Sequence, residues 1–279
     1  MKNKVVAITG AASGIGRATA LRLARAHARL AISDADQAGL ERTLTMCRRE
    51  GAEVEAMAVD VADREAVYAW ARATRDAFGQ VNVIINNAGV SLGGTVEDLG
   101  YEDFEWLMNI NFWGVVYGTK AFLPYLRESG DGHVVNISSL FGIMAAPCSS
   151  AYNASKFAVR GFTEALSEEL MVERAPVRVT CVHPGGIDTN IARSGRITPN
   201  SAWSLDSAER FADDFKRLAR TSSEQAAEQI VTAIVRRRRR LLIGMDARVF
   251  DALQRVIPAS YQSVVAQVAR RRRYTGNQV

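Results

Sequence analysis

Seven short apolar runs recur along the chain, and most are followed by a longer stretch with helical periodicity. The first, Lys4-Val5-Val6-Ala7-Ile8-Thr9, reads as a buried strand. The others are Arg29 to Ser33, Val54 to Val59, Val81 to Ile85, Gly132 to Ser138, Val177 to Val182 and Arg240 to Gly244. Between the first two, Ile15, Ala18, Thr19, Leu21, Arg22 and Ala26 carry a helical spacing, and a longer one runs from Tyr101 to Leu126. Strands alternating with helices mean crossover units, so the pattern predicts an α/β fold: a doubly wound, seven-stranded parallel sheet with helices on both faces. No internal repeat and no Pro- or Ser-rich linker interrupts the 279 residues, which fits one domain.

The breaks between runs carry the chemistry. Gly10-Ala11-Ala12-Ser13-Gly14-Ile15-Gly16 lies between a strand and a helix, the setting in which loop amides and a helix N-terminus bind a dinucleotide pyrophosphate. The second run ends at Asp34, placed to bond both hydroxyls of an adenosine ribose and to repel a 2′-phosphate. No Lys or Arg interrupts the glycine loop, so NAD is favoured over NADP. Asp34 also suits an N-cap for the helix starting near Asp36. His27 stands where a left-handed residue, usually Gly, is expected after the first helix. Asp60 closes the third run, Asn86-Asn87-Ala88-Gly89 the fourth and His183-Pro184-Gly185-Gly186 the sixth.

Tyr152 and Lys156 are one helical turn apart on a shared face. A cation so close favours the phenolate and would lower the Tyr pKa toward a usable acid/base. Ser139, just past the fifth run, would present its hydroxyl to the same cavity. The rest of the composition narrows the field. Cys47, Cys148 and Cys181 have no C-x-x-C spacing, which argues against a disulfide framework or a zinc site and for a reducing cytoplasm. The first strand begins at Lys4, leaving no room for a signal peptide, and no run reaches the ~18–20 apolar residues of a membrane span. The net charge of +5 is concentrated in Arg236 to Arg240 and Arg270 to Arg273; the rest of the chain is mildly acidic. Those runs flank no nucleic-acid-binding motif.

Taken together, the motifs resemble the short-chain dehydrogenase/reductase family over roughly residues 4 to 244. Thr9 to Gly16 matches its T-G-x-x-x-G-x-G, Asn86 to Gly89 its N-N-A-G, Asp60 its adenine-contacting Asp, and Pro184-Gly185 with Thr189 its P-G-x-x-x-T. The resemblance implies a Rossmann-type sheet and a catalytic tetrad of Asn111, Ser139, Tyr152 and Lys156, with no metal. It implies a cofactor site of Gly10, Ser13, Gly14, Ile15, Gly16, Asp34, Asp60, Val61, Asn87, Ala88, Gly89, Pro184, Gly185, Ile187 and Thr189, shared with Tyr152 and Lys156. Tyr152 would exchange the proton of an alcohol or ketone, Ser139 would bond the substrate oxygen, and Asn111 would anchor a water chain from Lys156. His27 is the visible departure from the family pattern. A dinucleotide-binding protein that had lost its chemistry would lack Tyr152 or Lys156, and both are present.

Apolar residues near the catalytic end (Leu92, Leu140, Phe141, Ile143, Met144 and Pro147) suggest a lipophilic secondary alcohol or ketone, steroid-like or fatty. The family's substrate lid corresponds to residues 189–221, with Trp203, Phe211, Phe215 and Leu218, inside a dehydrogenase domain of residues 1–245. Residues 246–279 read as an amphipathic, basic C-terminal extension of the same domain. Its apolar positions Val249, Phe250, Leu253, Val256, Ile257, Tyr261, Val264, Val265 and Val268 would pack on the body or, with the arginines, dock peripherally on anionic lipid. Phe112 and Trp113 suggest an apolar face that pairs subunits, as a homodimer or homotetramer.

Overall fold

The computed structural model describes residues 1–188, 195–197 and 221–275. Seven parallel strands, β1 (Val5–Thr9), β2 (Arg29–Asp34), β3 (Val54–Ala58), β4 (Val83–Asn86), β6 (Gly132–Ile137), β7 (Val177–Pro184) and β9 (Arg240–Ile243), form a sheet ordered β3-β2-β1-β4-β6-β7-β9. A separate parallel pair joins β5 (Leu92–Gly93) to β8 (Arg196–Ile197). The strand order reverses between β1 and β4, and this switch point opens a crevice at the carboxyl ends of the strands, where the ligands of such sheets bind. β1, β4 and β6 are buried along their whole length, as strands covered on both faces must be.

One face of the sheet is covered by α1 (Gly14–Ala24), α2 (Gln37–Arg49) and α7 (Ser223–Val235), whose apolar residues meet β1, β2 and β9 in one core. The other is covered by α3 (Arg64–Phe78), α5 (Gly114–Glu128) and α6 (Ser150–Val172), with Trp70 edge-on to Phe122 at 4.9 Å. His27 occupies the left-handed region at φ 57°. Its amide donates to the Ala24 carbonyl at 2.9 Å, ending α1 as a C-cap turn. His27→Gly is expected to raise stability by about 0.5–1 kcal/mol by relieving that backbone, read as a higher denaturant midpoint with an unchanged slope.

The pattern from Tyr101 to Leu126 is not one helix. α4 (Tyr101–Met108) passes through a π-helical turn, Asn109–Trp113, before α5 begins. The wider turn accommodates an extra residue, and the fully buried Asn111 it contains is bonded to the loop after β4. The C-terminal helices α8 (Met245–Val256) and α9 (Tyr261–Thr275) lie on the body. Phe250, Leu253, Ile257, Tyr261 and Val265 pack with Leu140, Phe141 and Met144, whereas Val249, Val256 and Val264 are exposed. These positions therefore belong to two faces, and the larger side chains are already covered; the Val268 side chain lies outside those described. Arg237 pairs with Asp131 at 3.1 Å and Arg240 with Asp251 at 2.6 Å, so the first arginine run is partly neutralised. Among the described residues no helix is long and apolar enough to cross a membrane.

Candidate active site

The glycine loop is shaped by contact with the loop after β4. Gly10 has φ 67°, and a Cβ there would stand 2.7 Å from the Ala88 Cα; a Cβ on Gly16 would stand 2.0 Å from the Gly10 carbonyl oxygen. Thr9 and Asn87 stitch the two loops together. The amides of Asn87 and Ala88 donate to Thr9 Oγ1 at 3.0 Å, and Asn87 Nδ2 donates to the carbonyls of Thr9 and Gly10 at 3.0 Å. Asn86 points the other way, into the core, donating to Thr119 Oγ1 at 3.1 Å and Asn136 Oδ1 at 2.8 Å. α1 starts at Gly14 with no capping side chain and no acidic residue in its first turn. Its leading amides are thus available to an anion.

Asp34 sits beside this loop. Its Oδ2 accepts from the Ala12 amide at 2.8 Å and its Oδ1 from the Asp36 amide at 2.9 Å. Helix α2 is capped by Asp36, which accepts from the Gly39 amide at 3.0 Å, and not by Asp34. Asp60 accepts from the Ala62 amide at 2.9 Å and is exposed, with Val61 buried next to it. Ile187 is buried and Asp188 donates its amide to the Thr221 carbonyl at 3.1 Å. Thr189 and residues 198–220, with Trp203, Phe211, Phe215 and Leu218, lie outside the described residues. The open helix terminus, the close-packed glycines and the free lone pairs of Asp34 fit the phosphates and ribose of a dinucleotide.

Ser139, Tyr152 and Lys156 meet at the carboxyl end of β6. Ser139 caps the short turn Leu140–Gly142, its Oγ accepting from the Phe141 amide at 3.1 Å. Its hydroxyl also neighbours the Tyr152 phenol and favours the phenolate. Tyr152 lies in the first turn of α6, its ring met edge-on by Phe141 at 6.0 Å. Lys156 is buried, 5.6 Å from the centre of that ring, and donates to the Ile137 carbonyl at 3.1 Å. Asn111 Nδ2 donates to the Val90 carbonyl at 2.9 Å and Ser155 Oγ at 3.2 Å, while its Oδ1 accepts from the Val90 amide at 2.8 Å. Gly89 completes the cradle, since a Cβ there would lie 3.2 Å from Asn111 Oδ1 and 3.4 Å from Lys156 Nζ.

The electrostatics differ from the expectation of a lowered phenol. Burial raises the Tyr152 pKa above its ordinary value, and the neighbouring Ser139 hydroxyl only opposes this. Burial also pushes Lys156 down to about 8. Desolvation outweighs attraction here because both groups leave water together and the ammonium is committed to a backbone carbonyl. Of the apolar residues expected to shape a substrate cavity, Leu92, Leu140, Ile143 and Met144 are buried packing; Phe141 is half-buried and Pro147 exposed.

Two groups with no sequence signature join the site. His183 Nδ1 lies 3.1 Å from the Ser139 carbonyl, and burial holds its pKa down at about 4, so it is neutral and Nδ1–H donates. Ser138 Oγ donates to the Lys156 carbonyl at 2.8 Å, tying β6 to α6.

Known proteins resemble this chain over most of its length. The family model described as short chain dehydrogenase matches residues 4–199. SadH of Mycobacterium tuberculosis, named as an oxidoreductase, is 49% identical over 266 residues, spanning 95% of each chain. Estradiol 17-beta-dehydrogenase 11 of Mus musculus is 29% identical over 94% of this chain and 82% of its own. A solved short chain dehydrogenase/reductase from Burkholderia phymatum, in complex with NAD, superposes with TM-score 0.84 at 32% identity, covering 92% of this chain and 94% of that one.

Proposed function

Because the chain belongs to the short chain dehydrogenase family, we propose that it moves a hydride between NAD(H) and a lipophilic secondary alcohol or ketone, steroid-like or fatty. The observation that carries this reading is the convergence of Ser139 and Tyr152 with the buried Lys156, whose Nζ lies 5.6 Å from the centre of the Tyr152 ring. The dinucleotide would supply or accept the hydride, held by the first-turn amides of α1, Asp34, Asp60, the Asn87–Gly89 loop and the Pro184–Gly186 loop. Tyr152 gives its phenolic proton to a ketone oxygen or takes one from an alcohol. Ser139 donates to the same oxygen and so stabilises charge gathering there. Lys156, with its pKa drawn to about 8, exchanges protons readily near neutrality and can return one to Tyr152. Asn111 holds Val90 beside Gly89 and would lead protons away from Lys156. The name of the estradiol dehydrogenase relative and the half-buried Phe141 ring support an apolar substrate.

The test is titration of the chain with NADH and NADPH, followed by an alcohol and ketone panel read at the nicotinamide absorbance. NADH is expected to bind at least about tenfold more tightly, because a carboxylate facing a 2′-phosphate costs on the order of 1–4 kcal/mol. Asp34→Ala should bring the two dissociation constants close together; a preference for NADPH in the unaltered chain would overturn the cofactor assignment. The partner is proposed to be a second copy of the chain. Phe112, Trp113 and Tyr117 form a contiguous aromatic face, with Trp113 stacked on Tyr117 at 5.8 Å and 43% exposed, and burying it in a dimer or tetramer would remove that area from water.

A further inference from the structure

The C-terminal extension touches both loops of the site. Asp246, in the first turn of α8, accepts from the Gly186 amide at 2.6 Å. Two glycines make room for it: a Cβ on Gly185 would stand 2.2 Å from both carboxylate oxygens, and one on Gly244 2.3 Å from Oδ1. Gly244 also sits at φ 94°, a backbone that other residues avoid. The Gly185 amide donates to the Ile243 carbonyl at 2.9 Å. The loop after β7 is therefore tied at consecutive amides to β9 and to α8.

The second contact is Tyr261, buried among Leu140 and Met144, whose hydroxyl accepts from the Ala145 amide at 3.2 Å. Phe141, in the same cluster, is the residue that meets the Tyr152 ring. The span between the two contacts is clamped to the sheet. Asp251 accepts from Arg240 Nη1 and Nη2 at 3.0 and 2.6 Å and from Arg255 Nε at 3.1 Å.

We propose that residues 245–261 are a two-point brace of the active site. Asp246 is a positioning residue for the Pro184–Gly186 loop, and hence for the dinucleotide. Tyr261 is a positioning residue for the Ser139–Ala145 loop, and through Phe141 it shapes what is presented to Tyr152. The brace rests on the oxidoreductase reading and extends it to a segment that the motifs do not reach. The two ends act on different ligands: loss of the Asp246 contact frees backbone that faces the cofactor, whereas loss of the Tyr261 contact frees the wall that faces the substrate. Displacements of about 1 Å at such supports are enough to cost on the order of a hundredfold in rate.

The test uses the full chain, NADH fluorescence titration, and steady-state reduction of ketones from acetone to bulky alicyclic examples. Asp246→Ala should raise the NADH Kd about tenfold, the scale of one charge-assisted hydrogen bond. Asp246→Asn, which can still accept from Gly186, should recover most of that loss. Tyr261→Phe keeps the ring and removes the acceptor. It should leave the NADH Kd within about twofold, while kcat/KM for bulky relative to small ketones shifts about tenfold. Variants that lower Tm while NADH affinity and ketone selectivity stay as in the unaltered chain would overturn the brace. If the unaltered chain binds NADH but reduces none of the panel, the reaction has been misread, and the Asp246 variants still decide the brace through Kd. A chain that binds no NADH overturns both.

Discussion

Tyr152→Phe is expected to lower kcat by about a thousandfold while leaving NADH affinity within about twofold. The change removes one oxygen and little else. The ring keeps its edge contact with Phe141 at 6.0 Å and its place in the cluster with Leu92, Leu107 and Ala151. Ser139 Oγ still accepts from the Phe141 amide. What is lost is the proton donor for the substrate oxygen, which a phenyl ring cannot replace. Single-turnover kinetics with bound NADH, set beside a fluorescence titration, separate the two effects. Turnover above a tenth of the original rate would remove Tyr152 from the acid/base role.

Lys156→Met is expected to abolish measurable turnover and yet to stabilise the cofactor-free chain near pH 7 by about 1–2 kcal/mol. Burial lowers the Lys156 pKa from 10.5 to about 8. Between those values the unfolded chain binds more protons than the folded one, so folding gains stability as pH climbs from about 8 toward 10.5. Below about 8 the full cost of holding a buried ammonium is present. Met fills similar volume without that charge, offset in part by the orphaned Ile137 carbonyl, worth about 1 kcal/mol. The difference in Tm between the two chains should be largest at pH 7 and shrink by pH 10. A Met variant less stable than the parent at pH 7 would show that the ammonium contributes net stability through its contacts.

Much of the site was legible because its motifs are local. Strand, glycine loop and helix are contiguous from Val5 to Ala24, so the uncapped N-terminus of α1 follows from the order of residue types alone. Tyr152 and Lys156 share a helix, and one turn of α6 is enough to put them together. The left-handed His27 followed from where α1 had to stop. Other readings failed where the outcome depended on surroundings. Periodicity from Tyr101 to Leu126 carries no trace of the π-helical turn, whose Asn111 is bonded to Val90, outside the helix. The phenol was expected to be acidified by its neighbour; burial of both groups by the rest of the chain reversed the sign.

The amino-acid sequence by itself determined the sheet and its crossovers, the glycine loop and its carboxylate, and the family to which the chain belongs, since each is written in neighbouring residues with a fixed period or spacing. Tertiary structure alone decided the rest. It buried Leu92, Leu140, Ile143 and Met144 while leaving Phe141 half-exposed beside Tyr152. It made neutral His183 a neighbour of Ser139, 44 residues away, and Asp246 a partner of Gly186, 60 residues away. Of the two placements open to the extension it realised packing on the body, with Tyr261 bonded to Ala145 across 116 residues. Such contacts close only when the strands align, so no local pattern of side chains records them.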